Sequence, residues 1–320
     1  MSTEGSTRAV IAAMLANLGI AIAKFVGFLV TSSSSMLAES IHSLADTGNQ
    51  ILLLFGGKRS RMAPDRKHPF GYGRERYFWA FVVSIVLFTL GAMFAIYEGI
   101  EKVLHPHEID SAQWAIGILV VSLLLEANSF RTAIHEARPA KGDDSWIAYI
   151  GRSRAPELPV VILEDTGALV GLAFALVAVI LSVITQNGVW DGVGSIIIGT
   201  LLGMIAIILS IEMKSLLIGE SATEVDEESI RSAIDASPVV NELISLRTEH
   251  IGPDEILVAA KVEFDRSLTM AQLAAAIDEV EVAIRAVVPA ATRIFLEPDV
   301  VKPELGGSED PWSGLEGRPH

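Results

Sequence analysis

The apolar residues of this chain fall into six long runs separated by short polar stretches, at roughly 10–30, 36–55, 77–97, 114–130, 160–184 and 193–218. A helix needs about 20 mostly apolar residues to cross a hydrocarbon core of about 30 Å, so the pattern predicts six transmembrane helices within residues 9–218. Residues 1–8 form a polar lead-in. The first run has no small-residue cleavage site and the second follows after only a few residues, so it does not read as a cleaved signal peptide. From about residue 219 the pattern becomes shorter and more acidic. Residues 224–236 read as a helix stopped by Pro238. Residues 242–250 and 256–264 read as a hairpin around Gly252-Pro253-Asp254, 270–287 as a second helix, and 292–296 as a last strand. The order αββαβ over 219–300 predicts a small α+β domain of ferredoxin-like type behind an α-helical membrane protein. The Gly-, Pro- and Ser-containing segment 301–320 predicts a disordered tail.

Composition agrees with a membrane location: 51% of residues are hydrophobic and the mean hydropathy is +0.46. Lys and Arg set the orientation. The connection between the second and third runs carries Lys58, Arg59, Arg61, Arg66, Lys67, Arg74 and Arg76. That between the fourth and fifth carries Arg131, Arg138, Lys141, Arg152 and Arg154. The alternate connections hold only Lys102. The basic loops, and with them both termini, are therefore expected in the cytoplasm. The formal charge is −15, and 17 acidic against 6 basic residues lie between Glu220 and Asp299. An acidic soluble region argues against nucleic-acid binding, which needs a basic face. There is no cysteine, so thiolate ligation and disulfides are excluded.

The second run is unusually polar, with Glu39, Ser40, His42, Ser43, Asp46, Thr47, Asn49 and Gln50. Such a helix must pack among others or line a wet cavity. Ionisable groups at membrane depth cost about 2.5–3.5 kcal/mol each on insertion scales and default to an ion or proton pathway. His42 and Asp46 are four apart and share one helix face. Glu164 and Asp165 sit near the start of the fifth run. Asn17 and Lys24 in the first run and Glu126 and Asn128 in the fourth bring polar groups from at least four helices toward an internal site. Asn17, Glu39 and Glu126 read as supporting or gating groups, and Asp191 as a helix cap.

The run Ser35-Met-Leu-Ala-Glu-Ser-Ile-His42-Ser-Leu-Ala-Asp46 resembles the second-span signature of the cation diffusion facilitator family, and His68-Pro-Phe-Gly-Tyr-Gly-Arg74 resembles its turn before span three. Six spans and the αββαβ domain extend the resemblance over nearly the whole chain, within a zinc-transporter-like branch. The resemblance implies an exporter of divalent transition metals, usually a homodimer, that exchanges metal for protons by alternating access and uses no cofactor. It also implies a tetrahedral site with two ligands in span two and two in span five: His42, Asp46 and Asp165, with Glu164 in place of the ligand expected four before Asp165, where Val161 stands. Adjacent residues diverge by about 100° around a helix, so Glu164 must swing round; otherwise Glu126 or a water fills the fourth place. Imidazole with carboxylates suits Zn²⁺, while one His with three oxygens also suits Mn²⁺, Fe²⁺ or Co²⁺.

The family's accessory sites are depleted. Asp65 faces Tyr72 where some members have His, and Ala260, Lys261 and Ile294–Glu297 supply no His, leaving His250 as the weak remaining candidate. The expectation is a tail domain that dimerises without a metal cluster. Expected partners are a second copy, the divalent metal and membrane lipid. The expected location is a bacterial-type cytoplasmic membrane.

Overall fold

The computed structural model describes residues 3–31, 34–106 and 112–301. The chain forms two compact units, Met1–Ile218 and Gly219–His320. From residue 302 on, the expected disordered tail lies outside the described residues.

The first unit is helical. It runs α1 (Thr3–Thr31), α2 (Ser34–Arg59), α3 (Glu75–Val86), a π-helical stretch (Leu87–Met93), α4 (Phe94–Leu104), α5 (Ala112–Lys141), a short α6 (Trp146–Arg152), α7 (Glu157–Thr185) and α8 (Val189–Ile218). Among the described residues, five segments are long and apolar enough to cross a membrane: Thr7–Val26, Glu75–Leu104, Gln113–Lys141, Glu157–Thr185 and Val189–Ile218. The sixth expected span, α2, has the length at 26 residues but is too polar to join them. Its burial explains the difference. Ser40, Ser43, Thr47, Asn49 and Gln50 are buried against neighbouring helices, while Leu44, Ile51 and Phe55 face outward. That is the reverse of a water-soluble amphipathic helix and suits a hydrocarbon surround, where each polar group must be satisfied inside the bundle. α2 packs along α1 and α3.

Two glycines allow α4 and α8 to touch backbone to backbone. A Cβ on Gly99 would come within 2.8 Å of the Gly192 carbonyl oxygen, and one on Gly192 within 2.8 Å of the Gly99 carbonyl oxygen. Small residues at helix crossings are how membrane helices approach closely. Two features were not predicted. α5 runs past the apolar stretch to Lys141, and α6 follows it, capped by the Ser145 hydroxyl, which accepts from the Ala148 amide at 3.1 Å.

At the start of α3 and α7, Arg76 and Glu157 form a buried ion pair; Arg76 Nη2 donates to Glu157 Oε2 at 2.7 Å. In the loop before α3, Asp65 Oδ1 accepts from the amides of Lys67 (2.8 Å) and His68 (2.6 Å), and Oδ2 accepts from the Tyr72 hydroxyl at 2.8 Å. Gly71, at φ +91°, makes the turn. The His68 amide and then the Tyr72 hydroxyl hold the Asp65 carboxyl below its ordinary value. A depressed folded pKa contributes stability above the unfolded pKa, near 4, that is lost as pH falls through the lower folded value. Acidification below pH 4 is therefore expected to lower the protection of the Lys67 and His68 amides, measured against the exchange rate of an unstructured chain at the same pH, and Tyr72→Phe to move that onset to higher pH. Onsets that coincide in the two proteins would remove Tyr72 from this account.

The second unit has the expected order: α9 (Glu224–Asp235), β1 (Val240–Gly252), β2 (Glu255–Phe264), α10 (Met270–Val287) and β3 (Ala291–Pro298). The Thr223 hydroxyl caps α9, and Thr269 with Gln272 forms a capping box on α10. The sheet order is β1-β2-β3, with β1 antiparallel and β3 parallel to β2. One face buries Ile256, Val258, Val262 and Ile294 against Ile230 and Ile234 of α9 and Val280 and Ile284 of α10.

Candidate metal centre

A cavity of about 140 Å³ opens among α1, α2, α4, α5, α7 and α8, with Leu87 and Gly91 of the π-helical stretch also on its wall. Its polar lining brings together Asn17 and Lys24 of α1, Ser43 and Asp46 of α2, Glu126 of α5 and Glu164 of α7. Asn17, Lys24, Ser43, Glu126 and Glu164 are all buried, and Asp46 is half-buried. With Glu98 of α4 and Ser195 of α8 also on the wall, six helices deliver ionisable or polar side chains to one cavity.

Glu164 points from α7 toward α2. Its Oε2 accepts from Gln50 Nε2 at 2.6 Å and its Oε1 from Asn49 Nδ2 at 3.3 Å. Asp165, one residue on, is turned about 100° around the helix. It is fully buried, its Oδ2 accepts from the Ser129 hydroxyl of α5 at 2.9 Å, and it is absent from the cavity lining. The carboxylates of Asp46, Glu126, Glu164 and Asp165 nevertheless lie close enough to feel one another's charge. Glu126 Oε2, Asp165 Oδ1 and the Ser122 hydroxyl are buried with no hydrogen-bond partner among the described residues. Buried polar atoms are rarely left so, and oxygen donors in that condition have coordinating capacity to spare.

His42 and Glu39 lie in α2, His42 one helical turn before Asp46, but their side chains are outside the described residues. Among the described residues, no three His, Asp or Glu side chains gather tightly enough to hold an ion.

The remaining candidates serve local structure. Asp65 is occupied by the loop bonds given above, and its nearest imidazole, His68, approaches to 3.5 Å. His250 is buried at the end of β1, with Nδ1 3.2 Å from the Gly252 carbonyl oxygen and its amide donating to the Glu220 carbonyl at 2.7 Å. Asp191 is not the expected cap: it sits within the first turn of α8, where its carboxylate accepts from Lys102 Nζ at 2.9 Å, and Lys102 also meets Glu98 at 3.1 Å, which ties α4 to α8.

Sequence reading missed the partners of Glu164 and Asp165. Asn49 and Gln50 stand three and four residues after Asp46, on the same side of α2. That spacing is a signal that a second row of polar groups continues the His42–Asp46 face toward the next helix. Ser129 carries no comparable signal.

The cation efflux transmembrane domain family matches residues 10–218. The chain is 35% identical over 245 residues to the mitochondrial proton-coupled zinc antiporter SLC30A9 of Homo sapiens, covering 76% of this chain and 43% of that protein. It is 31% identical over 272 residues to metal tolerance protein C4 of Arabidopsis thaliana, covering 84% of this chain and 60% of that protein. It is also 21% identical over 283 residues to an uncharacterized transporter of Methanocaldococcus jannaschii, covering 86% and 90%. The chain therefore spans less than two thirds of the human and plant relatives. With residues 10–218 of its helical unit matched and a polar cavity lined by that unit's helices, the chain belongs to the cation efflux, or cation diffusion facilitator, family of multi-pass membrane proteins.

Proposed function

We propose that the protein exports divalent transition-metal cations, Zn²⁺ foremost, in exchange for protons, as a homodimer. The observation that carries the reading is the convergence of Asp46 from α2, Glu126 from α5 and Glu164 from α7 on one buried cavity. The ligands in this reading are His42, Asp46 and Asp165, with the fourth place, left without a donor at Val161, taken by Glu164 or otherwise by Glu126 or a water. Binding from the cytoplasm requires these groups deprotonated, and protons arriving from the other side compete for the same atoms and release the metal. An imidazole that titrates near neutrality suits His42 to that exchange. The two states must differ in affinity for metal and proton, or neither ligand could drive the cycle. The human relative named as a proton-coupled zinc antiporter supports both the metal and the counter-ion.

The basic connections after α2 and after α5 support cytoplasmic termini. The membrane proposed is a bacterial-type cytoplasmic one, although the human relative is named as mitochondrial. A second reading, export of Mn²⁺, Fe²⁺ or Co²⁺, is favoured by the oxygen-rich lining of the cavity.

Proteoliposomes with a metal-sensitive dye inside and an imposed pH gradient test the proposal across Zn²⁺, Mn²⁺, Fe²⁺ and Co²⁺. Uptake that rises with the gradient and is fastest for Zn²⁺ is expected. Faster Mn²⁺ uptake would select the second reading, and flux indifferent to the gradient would overturn proton exchange.

A further inference from the structure

Lys24 is the one cation on the described lining of the carboxylate cavity. It is 6% exposed, and its Nζ donates to the Ser43 hydroxyl at 3.1 Å. Ser43 lies next to His42 in sequence and three residues before Asp46, so the bond puts a positive charge on the α2 face that carries the proposed ligands. Its charge also reaches Glu126 on α5. α1 is held against α2 a turn away, where the Ser40 hydroxyl donates to the Ala21 carbonyl at 2.9 Å. A long, flexible ammonium side chain at membrane depth is costly and persists where it is paired or functional.

Among the described residues of the lining, the formal charges around it are few. Asp46, Glu126 and Glu164 line the cavity as three carboxylates. Glu98 also reaches it but is matched by Lys102 at 3.1 Å, and Asp165 is turned to Ser129 outside the lining. An ammonium on this lining offsets part of the negative charge that Asp46, Glu126 and Glu164 bring when ionised, and it repels a metal cation bound among them. Without Lys24 the same carboxylates would hold a divalent ion more tightly and release it more slowly.

We infer that Lys24 is a built-in counter-ion of the metal cavity: held at Ser43, it offsets part of the carboxylate charge and, by repulsion, weakens the bound ion enough for turnover. This rests on the reading of the cavity as the metal site. Lys24 acts through the cavity's field and coordinates nothing, since an ammonium has no lone pair to give.

The test uses the full chain, purified in detergent for equilibrium Zn²⁺ titration and in proteoliposomes for flux. Lys24→Met is expected to tighten Zn²⁺ binding by at least tenfold and to lower the maximal flux by at least tenfold. Lys24→Gln, which keeps a donor for Ser43 but no charge, is expected to do the same. Lys24→Arg is expected to stay within about threefold of wild type in both measurements. A purely structural lysine predicts the opposite sign, because a loosened α1–α2 contact weakens binding and flux together. Unchanged or weaker Zn²⁺ binding in both neutral variants would overturn the inference. Failure of the cavity reading is distinct, because it would show as absent Zn²⁺ binding in the wild-type protein.

Discussion

Asp46→Ala is expected to abolish the proposed proton-driven zinc uptake, by about 100-fold or more, in protein that still purifies as a folded species. Asp46 is the carboxylate that α2 presents to the cavity, and nothing adjacent on that helix can replace it: Ala45 has no donor and Thr47 is buried with its hydroxyl bonded to the Ser43 carbonyl at 3.0 Å. Loss of an outer-shell partner of a metal ligand typically costs about 10–100-fold, and loss of a ligand itself lies at or beyond the top of that range. The same scale gives an internal control. Gln50→Leu leaves every proposed ligand in place but deletes the 2.6 Å bond that aims Glu164, so its uptake is expected to fall by about 10–100-fold, between wild type and Asp46→Ala. The measurement is initial zinc flux under a fixed pH gradient, normalised to incorporated protein. Flux in Asp46→Ala within a factor of two of wild type would take Asp46 out of the site and the α2 face with it.

The parts of this molecule that the sequence discloses are those governed by local rules. Apolar run length placed five membrane helices, and the polar face of α2 declared itself by residue type alone, since hydrocarbon leaves Ser40, Ser43, Asn49 and Gln50 nowhere to go but inward. Caps, turn residues and strand alternation located α9 through β3 to within two residues at most boundaries. What resisted is set by rotation and by cross-helix partners. Glu164 and Asp165 are neighbours in sequence but face different helices, because about 100° separates them, and only the tertiary packing decides that Gln50 takes one and Ser129 the other. Asp191 reads locally as a cap, yet its partner is Lys102, almost ninety residues earlier. Lys24 is the sharpest case. A lysine in an apolar run signals function, but its place beside Ser43 comes from the packing of α1 on α2, which no periodicity reports.

Glu157→Gln is expected to cost about 3–5 kcal/mol of stability, a large loss for a residue outside the cavity. Arg76 and Glu157 are only 9% and 7% exposed at their side chains, and the pair joins the start of α3 to the start of α7 in a two-pronged contact. Deleting one partner of a buried pair strands the other charge, a loss of about 3–5 kcal/mol. For a domain of about 200 residues each kcal/mol moves the unfolding midpoint by about 2–4 °C, so a drop of about 6–20 °C is expected in the thermal melt of the detergent-solubilised protein. Arg76→Met should fall by a similar amount, since it leaves Glu157 buried and uncompensated. The double variant Arg76→Met with Glu157→Leu should recover most of the loss, because replacing both charges removes the desolvation penalty along with the attraction. Zinc flux per folded molecule should stay near wild type in all three, as neither residue lines the carboxylate cavity. A single variant that melts within 2 °C of wild type would mean that solvent reaches the pair freely, and a double variant no more stable than the singles would mean that the two side chains hold α3 and α7 through separate contacts rather than through each other.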